Sequence, residues 1–162
     1  MGSEMCIRDR DLQWFEPQQI LAQLAELLSV DAPNDRTIDV RLKMADGIHV
    51  FADKRLFLRA IENLLRNAIQ HANRNVLVEL THETGKVHVA IHDDGPGIPQ
   101  ALHEKVVLPF FRPQTERDRE TGGVGLGLAI VARITQRHSG RLAIRTSPLG
   151  GAKVATIWPS SD

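Results

Sequence analysis

Asn63, Asn67 and His71 recur at i, i+4 and i+8, with Gln70 beside them. On a helix that spacing makes one polar stripe. Asn is a mediocre helix former, so two on one stripe call for a reason. An amide oxygen is a hard, neutral ligand that suits Mg2+ shared with phosphates. A plain solvated helix face is the alternative.

A second group is Asp93-Asp94-Gly95-Pro96-Gly97. Val87, Val89 and Ile91 share one parity of the strand before it, and Asp93 continues that parity. The carboxylate therefore points to the core side, where it needs hydrogen-bond donors. An adenine amino group would be one. Gly95 and Gly97 would let the backbone turn sharply against a flat base. An ordinary Asp-Gly turn fits the same residues.

Third is Gly122-Gly123-Val124-Gly125-Leu126-Gly127-Leu128, opening a helix. Glycines at a helix start expose N–H groups to an anion. Gly127, inside the helical pattern, costs about 1 kcal/mol relative to Ala. Neither G-x-G-x-x-G nor G-x-x-x-x-G-K-[ST] fits: Leu128 breaks the first, and the lone Gly85-Lys86 is followed by Val87. A lid hinge is the duller reading. Fourth, Pro109-Phe110-Phe111-Arg112-Pro113 sets two phenylalanines and a cation in a loop. Arg112 could pair with a phosphate; a small satellite apolar cluster is the alternative.

The elements that must position these residues follow from periodicity. Residues 17–28 predict a helix, with Pro17 in the first turn and Ile20, Leu21, Leu24, Leu27 and Leu28 on one face. Residues 37–44 alternate as a half-buried strand, and Gly47 leads into a short strand through Phe51. Asp53 predicts the N-cap of a long helix to about Ala72. Residues 75–81 and 86–93 predict a hairpin. Residues 95–121 have little periodicity, and loops this long are usually functional or disordered. Residues 124–139 predict a helix stopped by Gly140, and 142–146 with 153–158 a second hairpin. No element is predicted before Pro17. The pattern implies an α/β (α+β) fold: a two-layer sandwich, with a mixed, mostly antiparallel sheet covered by three helices on one face. Adjacent strands should mostly pair as hairpins.

At 162 residues the chain suits one domain. Lys+Arg and Asp+Glu are 20 each, so no net basic field draws it to nucleic acid or an anionic surface. The single cysteine, Cys6, allows neither an internal disulfide nor a cysteine zinc site. No apolar run approaches the ~20 residues of a membrane span. The opening MGSEMCIRDR reads as a cloning or sequence-assembly scar. Residues 1–12 are accordingly taken as that scar plus the remnant of a linker, and 13–162 as the domain.

Taken in order, these segments resemble the ATP-binding domain of bacterial sensor histidine kinases, in the group that includes gyrase, Hsp90 and MutL. Asn63-Leu64-Leu65-Arg66-Asn67-Ala68 looks like the N box and Asp93-Asp94-Gly95-Pro96-Gly97-Ile98 like the G1 box. Pro109-Phe110-Phe111-Arg112 looks like the F box and Gly123-Val124-Gly125-Leu126-Gly127-Leu128 like the G2 box. Each box is weak alone; four in order are specific.

The resemblance implies ATP and Mg2+ as cofactors. Asn63 and Asn67 would be catalytic, with Asn67 on Mg2+. His71, Ile98, Phe110 and Arg112 would join Asp93, Gly95 and Gly97 in contacting ATP. Gly123, Val124, Gly125, Leu126, Gly127 and Leu128 would wrap its phosphates, and residues from about 98 to 121 would form the lid. Asn63 stands where hydrolytic members place a catalytic glutamate, and an amide cannot be a general base. That favours transfer to a protein histidine over hydrolysis. Many relatives carry Lys then Tyr where this chain has Gln70 and His71, so one charge is missing. His71 would still donate to a phosphate.

The resemblance also implies partners: a dimerisation domain bearing the phosphoacceptor histidine, and a response regulator. No His-Glu-x-x-x-Pro box is present, and His103-Glu104 lacks its proline. The fragment is expected to be a monomer that does not phosphorylate itself. Its parent would be a homodimer, with this domain cytoplasmic and an inner-membrane sensor as one form of the whole. A docking module without kinase activity and a gyrase- or MutL-type ATPase are the alternatives.

Overall fold

The computed structural model describes residues 11–32, 36–105 and 127–160. Its first element, β1 (Leu12–Phe15), is one the sequence does not predict. The strand is four residues long and buries only Phe15, too little for alternation to register. It pairs antiparallel with β3 (Val50–Asp53), Leu12 opposite Asp53, to form a separate two-stranded sheet.

Helix α1 (Pro17–Leu28) starts on Pro17, whose missing N–H would be unpaired there in any residue. It buries Leu21, Leu24, Ala25 and Leu28. Strand β2 (Asp39–Met44) lies parallel to β4 (Asn75–Glu83), Asp39 opposite Asn75. β2 and β3, adjacent in sequence, thus depart from the general expectation that neighbouring strands pair: the chain leaves one sheet for the other between them. As an edge strand β2 shows weak alternation, with Leu42 exposed.

Between β3 and β4 runs α2 (Lys54–His71), the longest helix. Asp53 caps it as predicted, its Oδ1 accepting from Arg55 N (3.0 Å) and Leu56 N (3.3 Å). Phe57, Ala60, Ile61, Leu64, Leu65, Ala68 and Ile69 form its buried face. Strand β5 (Lys86–Asp93) closes the predicted hairpin with β4. Helix α3 (Gly127–Arg137) and the hairpin β6 (Arg141–Thr146) and β7 (Ala152–Pro159) complete the chain. The five-stranded sheet has the order β2-β4-β5-β7-β6, one parallel pair among antiparallel ones.

Register sorts the two faces. Val78 opposes Ile91, and Ile91 opposes Val154. These residues join the helical side chains in one core, with Trp158 against Phe57 (ring centroids 4.9 Å apart). Asp93 opposes Val76 and so shares that inner face. The three α-helices among the described residues and the sheet thus make the two-layer sandwich the pattern implies.

Helix α3 ends differently from the expectation at Gly140. Ser139 takes the left-handed conformation (φ 59°). Ser139 N donates to Gln136 O (3.2 Å) and Gly140 N to Thr135 O (2.8 Å), a Schellman closure. Gly140 is needed for closeness instead: a Cβ there would lie 1.8 Å from Ile157 O. The preceding His138 is buried, its Nδ1–H donating to Ile134 O (2.7 Å) while Nε2 accepts from Asp53 N (3.1 Å). One imidazole thereby joins the end of α3 to the start of α2. Among the described residues, no helix is long and apolar enough to cross a membrane.

Candidate functional site

Three close approaches bring the sequence-selected residues into one region. Asn63 on α2 meets α3, since a Cβ on Gly127 would lie 3.7 Å from Asn63 Oδ1. His71, the last residue of α2, packs its carbonyl oxygen on Gly95; a Cβ there would sit 2.1 Å away. Asp93 packs against the β6–β7 turn, where a Cβ on Gly151 would lie 2.2 Å from Asp93 Oδ1. Only glycine fits at Gly95 and Gly151. Gly97 needs its freedom for a different reason, a left-handed φ of 77°.

Asn63, Asn67, Gln70 and His71 are all half-buried, so the stripe is neither core nor open surface. Asn63 Nδ2 donates to Arg59 O (2.8 Å), one turn back. The Asn67 amide has no partner among the described residues, while its backbone carbonyl accepts from His71 Nδ1 (2.8 Å). With Nδ1 carrying that proton, Nε2 of His71 can donate only as the imidazolium. Ile98 and Leu128 are half-buried and pack against the core. His103 Nε2 donates to Ile98 O (2.8 Å). Phe110, Arg112, Gly123, Val124, Gly125 and Leu126 lie outside the described residues.

Asp93 is the buried carboxylate of the region, as its strand parity predicts. Oδ1 accepts from Gly95 N (2.9 Å) and Ala152 N (3.3 Å). Its carbonyl oxygen accepts from Gly151 N (3.1 Å). Oδ2 has no partner among the described residues. Burial pushes the Asp93 carboxyl above its usual value, against the pull of the Gly95 and Ala152 amides and the nearby His71. The side chain therefore offers one strong, desolvated acceptor to an incoming N–H donor.

Asp94, next to it, behaves oppositely. Burial raises its carboxyl, but the amides of Arg74, Asn75 and Asn73 together outweigh that and hold it below the usual value. Arg36 ties down the end of α2 from another side. Its guanidinium donates to the carbonyls of Ala72, Gln70 (3.0 Å) and Ile69 (3.4 Å), capping the negative end of the helix. Sequence reasoning misses Arg36, Gly151 and Ala152 as neighbours of the site. The Gly150-Gly151 pair is a signal for the turn, but nothing local says that the turn folds onto Asp93.

Among the described residues, no group of three or more His, Cys, Asp or Glu side chains could hold a metal. A cation here would instead share the ligand's own oxygens with an amide such as Asn67. Asp93 Oδ2 and the Asn67 amide, both without a partner among the described residues, leave a hydrogen-bond acceptor at one end of the region and an amide at the other.

A profile described as "Histidine kinase-, DNA gyrase B-, and HSP90-like ATPase" matches residues 52–162. The chain is 34% identical over 157 residues to the sensor protein RstB of Escherichia coli K12, covering 97% of this chain and 35% of RstB. It is 39% identical over 99 residues to the sensor histidine kinase CpxA of the same organism, covering 61% of this chain and 21% of CpxA. The chain thus spans about a third or less of these relatives' length. Among solved structures, full-length ShkA in complex with AMPPNP has a TM-score of 0.81 at 24% identity, covering 94% of this chain and 32% of that one. At that identity the likeness shows the fold.

Proposed function

Since the chain belongs to the histidine kinase-, DNA gyrase B- and HSP90-like ATPase family, we propose that it is the ATP-binding half of a sensor histidine kinase. It presents Mg-ATP to a histidine of a dimerisation domain outside this chain, in two-component signalling to a response regulator. The relatives' names support the kinase branch of the family. The observation that carries the reading is Asp93: a buried carboxylate with one oxygen on protein amides and the other without a partner among the described residues, at one end of a half-buried amide stripe.

Each residue then has a task. Asp93 Oδ2 accepts from the adenine amino group, and Gly95 and Gly97 keep side chains off the base. Asn67 supplies its amide oxygen to Mg2+. The N–H groups at the start of α3, from Gly127 and Leu128, face the phosphates together with Gly123, Val124, Gly125 and Leu126. Ile98, His71, Phe110 and Arg112 complete the contacts. ATP supplies the γ-phosphoryl group; the chain's own work is positioning and charge neutralisation. Asn63 takes no proton from water, so the domain carries out transfer and not hydrolysis. As a domain it is cytoplasmic, and the dimerisation domain makes the parent a homodimer.

Calorimetry with a non-hydrolysable ATP analogue tests this directly. Binding that strengthens on adding Mg2+, and loses that gain in Asn67→Ala, is the expected result. No heat in either condition would leave a docking module as the surviving reading. Steady ATP turnover by the isolated chain would revive a gyrase-type ATPase.

A further inference from the structure

Asp94 lies beside the proposed adenine acceptor, yet its side chain turns toward α2. Its Oδ1 accepts from Asn73 N (2.8 Å) and Arg74 N (3.0 Å). Its Oδ2 accepts from Asn75 Nδ2 (3.1 Å), with Arg74 N also within 3.2 Å. Asn73 Nδ2 donates to the Asp94 carbonyl (2.8 Å), and Asp94 N donates to Asn75 O (3.2 Å). Every polar atom of Asp94 is thus spent on Asn73, Arg74 and Asn75, which lead from the end of α2 into β4.

Those three residues are the connection between the two ends of the site. Upstream of them, α2 carries Asn63, Asn67 and His71. On the other side, Asp93 and Gly95 flank Asp94 in the β5 turn. The His71 carbonyl already rests on Gly95, so the two segments touch. The β4–β5 register, Val76 opposite Asp93, aligns the strands, and the Asp94 carboxylate adds the bonds that hold Asn73 and Arg74, the link back to α2, against that frame. A carboxylate suits this, because charge-assisted bonds to backbone amides are short and strong.

We infer that Asp94 is a positioning residue for the nucleotide, setting the distance between the base acceptor Asp93 and the phosphate-facing stripe on α2 without touching the ligand. This rests on the proposed ATP site. Its consequence is selective. A ligand that engages only the base end needs Asp93 alone, whereas one that spans base and phosphates needs both ends in register. Misplacement of even ~1 Å in a positioning shell can cost on the order of a hundredfold in function.

The test compares Mg2+ plus a non-hydrolysable ATP analogue with adenosine alone, by NMR titration of wild type, Asp94→Ala and Asp94→Asn. Asp94→Ala should weaken the ATP analogue by roughly tenfold or more and adenosine by less than about threefold, since only the spanning ligand loses register. Asp94→Asn keeps an oxygen for Asn73 and Arg74 and should recover most of the loss. Equal weakening of both ligands with a fall in thermal midpoint would show a merely structural residue and overturn the inference. Full affinity for both ligands in Asp94→Ala would also overturn it. If Asp94→Ala does not fold, Asn75→Ala removes one arm of the carboxylate, the bond to Oδ2, and should weaken the ATP analogue about threefold with adenosine unchanged, a smaller loss in keeping with one hydrogen bond. No change there would overturn it. Failure of the wild type to bind the ATP analogue would overturn the site itself, a result distinct from all of these.

Discussion

Replacing Asp93 by Asn should move stability and binding in opposite directions. Oδ1 is occupied by Gly95 N (2.9 Å) and Ala152 N (3.3 Å), and an Asn oxygen can accept both. The variant therefore keeps the turn. It also removes a buried charge, the form that burial disfavours at this position. Thermal midpoint should stay level or rise. Binding should suffer, because the position of Oδ2 becomes an NH2 group. That group meets an adenine amino donor with a donor. Losing a hydrogen bond to a charged acceptor costs about 1.5–3 kcal/mol, or roughly 10- to 150-fold in affinity. Calorimetry with Mg2+ and an ATP analogue, paired with a thermal melt, reads both quantities. Unchanged affinity would refute the assignment of Oδ2 to the ligand. A large fall in midpoint would refute the claim that Oδ1 alone holds the turn.

Four further outcomes follow from the same geometry. Gly151→Ala places a methyl 2.2 Å from Asp93 Oδ1 and 2.6 Å from its carbonyl oxygen; overpacking of about 1–3 kcal/mol should lower both the denaturation midpoint and nucleotide affinity. Affinity should also fall on acidification, beginning above the ordinary aspartate value of 3.8, because Asp93 takes up its proton early and a protonated acceptor cannot serve adenine; binding in that range should release a proton in calorimetry run in buffers of different ionisation heat. The stability of the free protein should also fall on acidification in a thermal melt: Asp53 and Asp94 are held below 3.8 when folded, so their contribution is present above that value and lost as pH falls through their depressed values, while protonation of Asp93 acts the other way. Asp53→Ala removes the acceptor of Arg55 N, Leu56 N and Asp11 N, and should cost about 2 kcal/mol in chemical denaturation, the upper range for an N-cap.

Local chemistry was readable where one residue decides one feature. Asp53 announces the start of α2, and the parity of Val87, Val89 and Ile91 puts Asp93 inside. Pairing across sequence distance was not readable in the same way. Strand β2 finds β4 and not β3, and β1 finds β3, because alternation assigns a strand's faces and does not name its partner. Gly140 was legible as the stop of the last helix, but not that Ser139 takes the left-handed conformation while Gly140 is reserved for the approach of Ile157. For the site, residue types pointed to Asn67, Asp93 and Gly95. They could not show that Gly151 closes on Asp93 from more than fifty positions away, or that Arg36 caps the helix from its other side. Those contacts exist only once the sheet order places the β6–β7 turn beside β5. Asp94 was visible as one of two adjacent carboxylates, but its direction depends on where α2 ends.

The central claim is that this chain is one half of a phosphotransfer reaction. Radiolabelled ATP, Mg2+ and the purified chain should give no label on the chain itself. Adding the parent's dimerisation domain should place acid-labile, alkali-stable label on that domain, as expected of a phosphohistidine. At subsaturating ATP the label should fall roughly 10- to 150-fold when the chain carries Asp93→Asn. Label on the chain alone, or none on the added domain while ATP is bound, would contradict the account.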